Sequence, residues 1–145
     1  MRLKIQMLDR DTEIDNVVPV TSVEAIQGET LNLYFQLVDA DTGERYIPAW
    51  GAVVQCQLPR LIFRTPTING ACQPNDYTIN RQAQMAFPYV ASSSYGDASI
   101  WYIPLVQADT VNMTTSNLIV TLTEGASITM GVARNAVRMR GAQQV

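Results

Sequence analysis

The sequence predicts an all-β fold, a single antiparallel β-sandwich of immunoglobulin-like type with an irregular central insertion. Three observations lead there. Between Gly28 and Asp39, Leu31, Leu33, Phe35 and Leu37 alternate with Asn32, Tyr34 and Gln36, the period-two pattern of a strand with one apolar and one polar face. Clusters of turn formers such as Asp39-Ala-Asp-Thr-Gly43 close such runs, because these residues cap backbone groups or tolerate left-handed geometry. No stretch carries a convincing amphipathic helical period. About seven strands of this kind bury their apolar faces by packing as two layers. The Cys…Trp…Cys spacing of a true antibody domain is absent.

The chain has 145 residues and is read as one domain, 1–145. At that size folding buries roughly 68–70% of the unfolded surface, so neither a metal nor a disulfide is required. Charged residues make up 16% of the sequence and the net charge is −3, with no run of Lys or Arg. Nucleic acid is therefore not expected as a partner, since phosphate neutralisation needs a basic face. The alternating start, Met1 to Leu8, does not read as a signal peptide. No segment approaches the roughly 20 apolar residues of a membrane helix, and no membrane partner is expected.

The first strand spans Arg2 to Leu8, with Leu3, Ile5 and Met7 inward. Asp9, Asp11, Glu13 and Asp15 follow. A calcium loop needs a glycine and a terminal glutamate in register, and neither is supplied, so the segment reads as a solvated connection. Val17 to Ile26 is extended but interrupted by Pro19, a residue confined to edges, strand starts and bulges; regular pairing is expected from Thr21. Leu31 to Leu37 comes next, and after the Asp39–Gly43 turn a strand runs from Ala52 to Leu58. These two are expected to form an antiparallel hairpin with a long connection. Cys56 shares a face with Val54 and Leu58 and reads as a buried thiol; a bridge to Cys72 is the alternative.

Residues 59–96 are the least regular part, holding Pro59, Pro66, Pro74, Pro88 and the Asn69-Gly70 turn signal. Short strands are expected near Leu61–Arg64, Tyr77–Asn80 and Gln84–Phe87. A long irregular stretch in a compact domain is commonly functional, and two readings stand side by side. It is an insertion reaching toward a partner, or an irregular hairpin covering the sandwich. Ala98 to Leu105 returns to a strong strand with Trp101, Ile103 and Leu105 inward. Gln107–Asn112 has room for one helical turn across an end of the sandwich. Asn117 to Glu124 is a strand, Gly125 turns, and Ser127 to Arg140 completes the sheet as one strand bent at Gly131. Residues 141–145 form a flexible tail.

Chemistry is scarce. The absence of histidine removes the commonest general base and metal ligand, and no nucleophile elbow or phosphate loop appears. The acids fall mostly in turns. The expectation is a protein that is not an enzyme and uses no cofactor or metal. Candidate contact residues are few. Arg134, Arg138 and Arg140 have one parity and line one face of a straight strand, either as a plain polar face or as a strip for carboxylates of another subunit. Asp11 and Glu13, with their acidic neighbours, are the matching acceptors in a head-to-tail ring. Trp50, beside Gly51, suits subunit packing or, with Tyr89, Tyr95 and Tyr102, a sugar-stacking platform.

Several stretches together resemble one family. Gly28-Glu-Thr-Leu-Asn-Leu-Tyr-Phe-Gln-Leu-Val-Asp39, with Thr42-Gly43 and Tyr46-Ile-Pro48, is similar to the N-terminal module of bacteriophage baseplate upper proteins and related small tailed-phage virion proteins. So are Ser99-Ile-Trp101, Ala108-Asp-Thr110, Val120-Thr-Leu-Thr-Glu-Gly125 and Gly131-Val-Ala-Arg-Asn-Ala-Val-Arg138. The likeness skips roughly residues 59–96. It implies an immunoglobulin-like building block of a virion, in the tail, baseplate or neck, made in the host bacterial cytoplasm and present as a homo-oligomer or in many copies beside other virion proteins. Family modules of this kind usually precede a longer receptor-binding part, and this chain is expected to act as an adaptor. The alternatives are a capsid decoration or head-fibre anchoring protein, and a carbohydrate-binding module.

Overall fold

The computed structural model describes residues 1–11, 16–46, 48, 52–59, 61–64, 67–68, 71–72, 78–79 and 100–141; side chains of residues 10, 11, 16, 17, 62–64, 67, 68, 71, 72, 78, 79, 100 and 102 are outside that description. Most of it is strand. In chain order these are β1 (Leu3–Asp11), β2 (Asn16–Val20), β3 (Val23–Ile26), β4 (Leu31–Asp39), β5 (Val53–Leu58), β6 (Leu61–Arg64), β7 (Thr67–Ile68), β8 (Ala71–Cys72), β9 (Thr78–Ile79), β10 (Ile100–Leu105), β11 (Ser116–Glu124) and β12 (Ser127–Arg140). A single helical turn, α1 (Gln107–Thr110), joins β10 to β11.

Two sheets carry the fold. The first has the order β10-β4-β1-β2 and the second β3-β12-β11-β5-β6-β9, while β7 and β8 form a separate pair. Apolar side chains from both sheets make one core, with Leu33, Phe35, Leu37, Trp101 and Ile103 from the first and Val54, Cys56, Leu118, Val120 and Val137 from the second all fully buried. Phe35 and Trp101 are direct cross-strand partners, and their rings stack with centroids 6.4 Å apart. Such a pair contributes beyond its buried area. Cys56 is fully buried, and that burial pushes the pKa of its thiol far up, as apolar surroundings do for a cysteine.

Three expectations are corrected. The strand from Ala52 does not form a hairpin with β4: β4 is flanked by β1 and β10, while β5 lies in the other sheet between β11 and β6. Both ladders of β4 are occupied, so the chain crosses to the second sheet. The stretch around Pro19 pairs earlier than Thr21 and then divides. β2 pairs with β1 from Asn16, with Pro19 opposite Leu8, and β3 leaves for the second sheet, where it runs parallel to β12. Proline is tolerated because β2 is an edge strand. Finally, the outer face of the first sheet is not simply polar, since Leu8 and Gln36 are both buried there.

The turns follow their residues. Gly43 has φ +76°, its N–H donates to the Asp39 carbonyl at 2.7 Å, and the Asp41 N–H donates to the Asp39 carboxylate at 2.9 Å. The Arg2 guanidinium lies 2.9 Å from Asp41 and holds that carboxyl below its usual value. Leu58 and Leu61 pair directly, so the stretch after Pro59 begins as a strand of the second sheet. Ile68 pairs with Ala71, which places Asn69-Gly70 between two strands, although residues 69 and 70 lie outside the description. So do the strand expected at 84–87 and the tail from residue 142 onward.

Candidate interaction surface

β12 is the strand that carries the predicted arginines, and its two faces are unlike. Inward it presents Gly131, Ala133, Ala136 and Val137; outward it presents Ile128, Met130, Val132, Arg134, Arg138 and Arg140. The larger apolar side chains of its first half therefore point away from the core, with Ile128 70%, Met130 60% and Val132 47% exposed. The cause is the close approach of β1. A Cβ on Gly131 would sit 2.9 Å from the Leu3 carbonyl oxygen and 3.0 Å from Ile5 Cδ1. Only small residues fit on the inner side here, and register then turns the larger ones outward.

The irregularity expected at Gly131 occurs elsewhere. Gly131 is in regular register opposite Val120. The shift falls between the Leu118–Ala133 and Ser116–Val137 pairs, where β12 spends extra residues as a bulge. Asn135 takes a positive φ of 51° there, and its N–H donates to Asn117 Oδ1 at 2.8 Å. Two inserted residues preserve parity, so all three arginines stay on one exposed face.

The remaining candidates divide. Arg140 lies 4.0 Å from Glu24 of β3, and both are largely exposed, a contact that salt and solvent screen. Asp11 ends β1 opposite Asn16, in the first sheet, whereas the arginines are on the second; its side chain, Glu13 and Trp50 lie outside the description. The apolar row Ile128, Met130 and Val132 was not singled out from the sequence. Its signal was present as alternation of large and small apolar residues over 128–133, but such a run does not say which face is buried.

An open cleft of about 430 Å³ lies where α1 meets the second sheet, lined by residues including Pro59, Asp109, Asn112, Met113 and Ser116. Asp109 is buried, and its carboxylate accepts the Val106 N–H at 3.0 Å, the work of a helix cap. Among the described residues no three His, Cys, Asp or Glu side chains gather as metal ligands, and no helix is long and apolar enough to cross a membrane. No protein-family model matches the chain, and no curated protein matches it significantly.

Proposed function

We propose that the chain is a non-enzymatic structural subunit of a tailed-bacteriophage particle, an adaptor acting through protein–protein contacts in a multi-copy assembly. The observation that carries this reading is the exposed face of β12, where three large apolar side chains continue into three arginines. Exposed apolar rows rimmed by charge mark association surfaces. An immunoglobulin-like topology is proposed with it. Its support is the strand order: β4 beside β10 in one sheet, β12-β11-β5-β6 in the other, crossovers from β4 to β5 and from β10 to β11, and a short early strand parallel to the last one. The virion setting rests on the resemblance of the β4 and β11–β12 sequences to baseplate modules.

Mass spectrometry of purified particles, quantified against the major capsid protein, tests it. Stoichiometric presence at a few to a dozen copies is the expected result; hundreds of copies would move the subunit to the capsid surface, and absence from clean particles would overturn the virion reading.

A further inference from the structure

The edges of the two sheets are finished differently. Both edges of the first sheet carry a proline as the last residue but one of the strand, Pro19 in β2 and Pro104 in β10, which removes a donor that an added strand would use. In the second sheet β12 pairs with β11 along its first half, and on its other side residues 137–140 pair with β3. Among the described residues no strand occupies that side of 127–136. From Ser127 to Ala133 this open edge has no proline and no charge. The usual devices that blunt an edge begin only at Arg134 and the Asn135 bulge.

We propose that this edge of β12 accepts an extended protein strand that presents apolar side chains to Ile128, Met130 and Val132 and acidic ones at the Arg134 end. The proposal rests on the protein-contact reading above and names the partner's chemistry. The backbone groups of 127–133 supply the ladder, and alternate side chains set the specificity, as in other strand-addition sites. The outward row gives the sequence of that specificity, with Ile128, Met130 and Val132 exposed, followed by the exposed Arg134. On this strip Arg138 is the register partner of Glu24 in β3 and Arg140 lies 4.0 Å from the same carboxylate, which leaves the charge of Arg134 to be matched from outside. Antiparallel addition, the better-paired orientation, puts the partner's acidic residues first and its apolar residues after them. β3 beside 137–140 and the turn at Gly125 bound the slot at its two ends.

The probe is a fluorescently labelled peptide of roughly ten residues, a length matched to a strand of ordinary size, with Thr-Glu repeats followed by Thr-Val repeats. It is titrated into the full chain by anisotropy. The expected result is saturable binding that falls at least tenfold in Arg134→Glu, and at least tenfold when the peptide amides facing the edge are N-methylated. A peptide with Lys for Glu should bind the charge-reversed protein better than the wild type. All altered positions on the protein are exposed, and circular dichroism confirms that the fold is kept. Binding indifferent to N-methylation would place the peptide on a face and overturn the proposal. So would no binding to the wild type, or a stable dimer dissolved by Ile128→Lys, since the edge would then be filled by a second copy. Absence of the protein from phage particles would remove the virion setting without changing these peptide results.

Discussion

β4 and β12 are the long strands around which the two sheets are arranged, and they are finished in opposite ways. β4 has β1 on one side and β10 on the other, and its large apolar residues Leu33, Phe35 and Leu37 are fully buried. Among the described residues β12 is paired along its first half on one side only; it holds Gly131 and Ala133 inward, and turns Ile128, Met130 and Val132 outward. In β4 hydrophobicity reports burial. In β12 it reports the space left by a neighbouring sheet, and the excess apolar surface becomes available for association.

The largest loss is expected inside β4. Phe35→Ala removes one half of the Phe35–Trp101 stack from a fully buried position, and such truncations cost about 3–5 kcal/mol. Urea denaturation of the purified chain should show that loss as a lower midpoint; a loss under about 1 kcal/mol would mean that β4 is not central to the core.

The next change acts on β12 from its inner side. Gly131→Val places a branched side chain where the Leu3 carbonyl oxygen is already 2.9 Å from a Cβ. The obstacle is backbone, which cannot swing away as a side-chain tip can, so overpacking of about 1–3 kcal/mol is expected. Gly131→Ala should shift the same transition less and in the same direction. If Ala at this position were neutral, β1 would not constrain β12, and another cause for its outward apolar row would be required.

A third prediction concerns the connection that leaves β4. The Tyr46 N–H donates to the Leu37 carbonyl at 2.8 Å, and its phenol donates to Glu124 Oε1 at 2.5 Å, tying the end of β11 to the chain crossing between sheets. That hydrogen bond to Glu124, together with burial, pushes the Tyr46 pKa up to about 12. The folded state thus prefers the protonated phenol more than the unfolded state does. Its contribution is complete below the unfolded value near 10 and is lost as pH rises toward 12. Unfolding measured between these pH values should fall less steeply in Tyr46→Phe than in the wild type, while at neutral pH the variant loses about 0.5–1.5 kcal/mol. Equal slopes would remove Tyr46 as the titrating group.

Strand positions were legible where large apolar residues alternated with polar ones, as in β1, β4 and β11, because burial there follows side-chain size, and in β10 from its β-branched and aromatic residues. The sheet to which each strand belongs was not. Nothing in Ala52–Leu58 says that both ladders of β4 are already taken, and nothing around Pro19 says that β2 and β3 separate into different sheets. The arginine face was legible from parity, and it survives because the bulge at Asn135 inserts two residues and not one. The apolar half of the same face was hidden. Gly131 looked like a bend in the sequence, whereas its missing side chain records the proximity of Leu3, a contact between residues far apart in the chain.

The smallest expected effect lies on the outward row of β12. Met130→Thr changes a residue that is 60% exposed, opposite Thr121 in the ladder, and replaces an apolar side chain by one that favours strands. If the outward row serves association, folding should be indifferent to it. The expected change in unfolding free energy is within about 0.5 kcal/mol, against the several kcal/mol lost at Phe35. The same variant should weaken strand binding at the β12 edge, because Met130 is the middle of the three apolar contacts. Denaturation and peptide titration on one protein sample separate the two roles. A variant that unfolds easily and binds normally would reverse the assignment, making the outer face of β12 part of the fold and leaving the arginines to act alone.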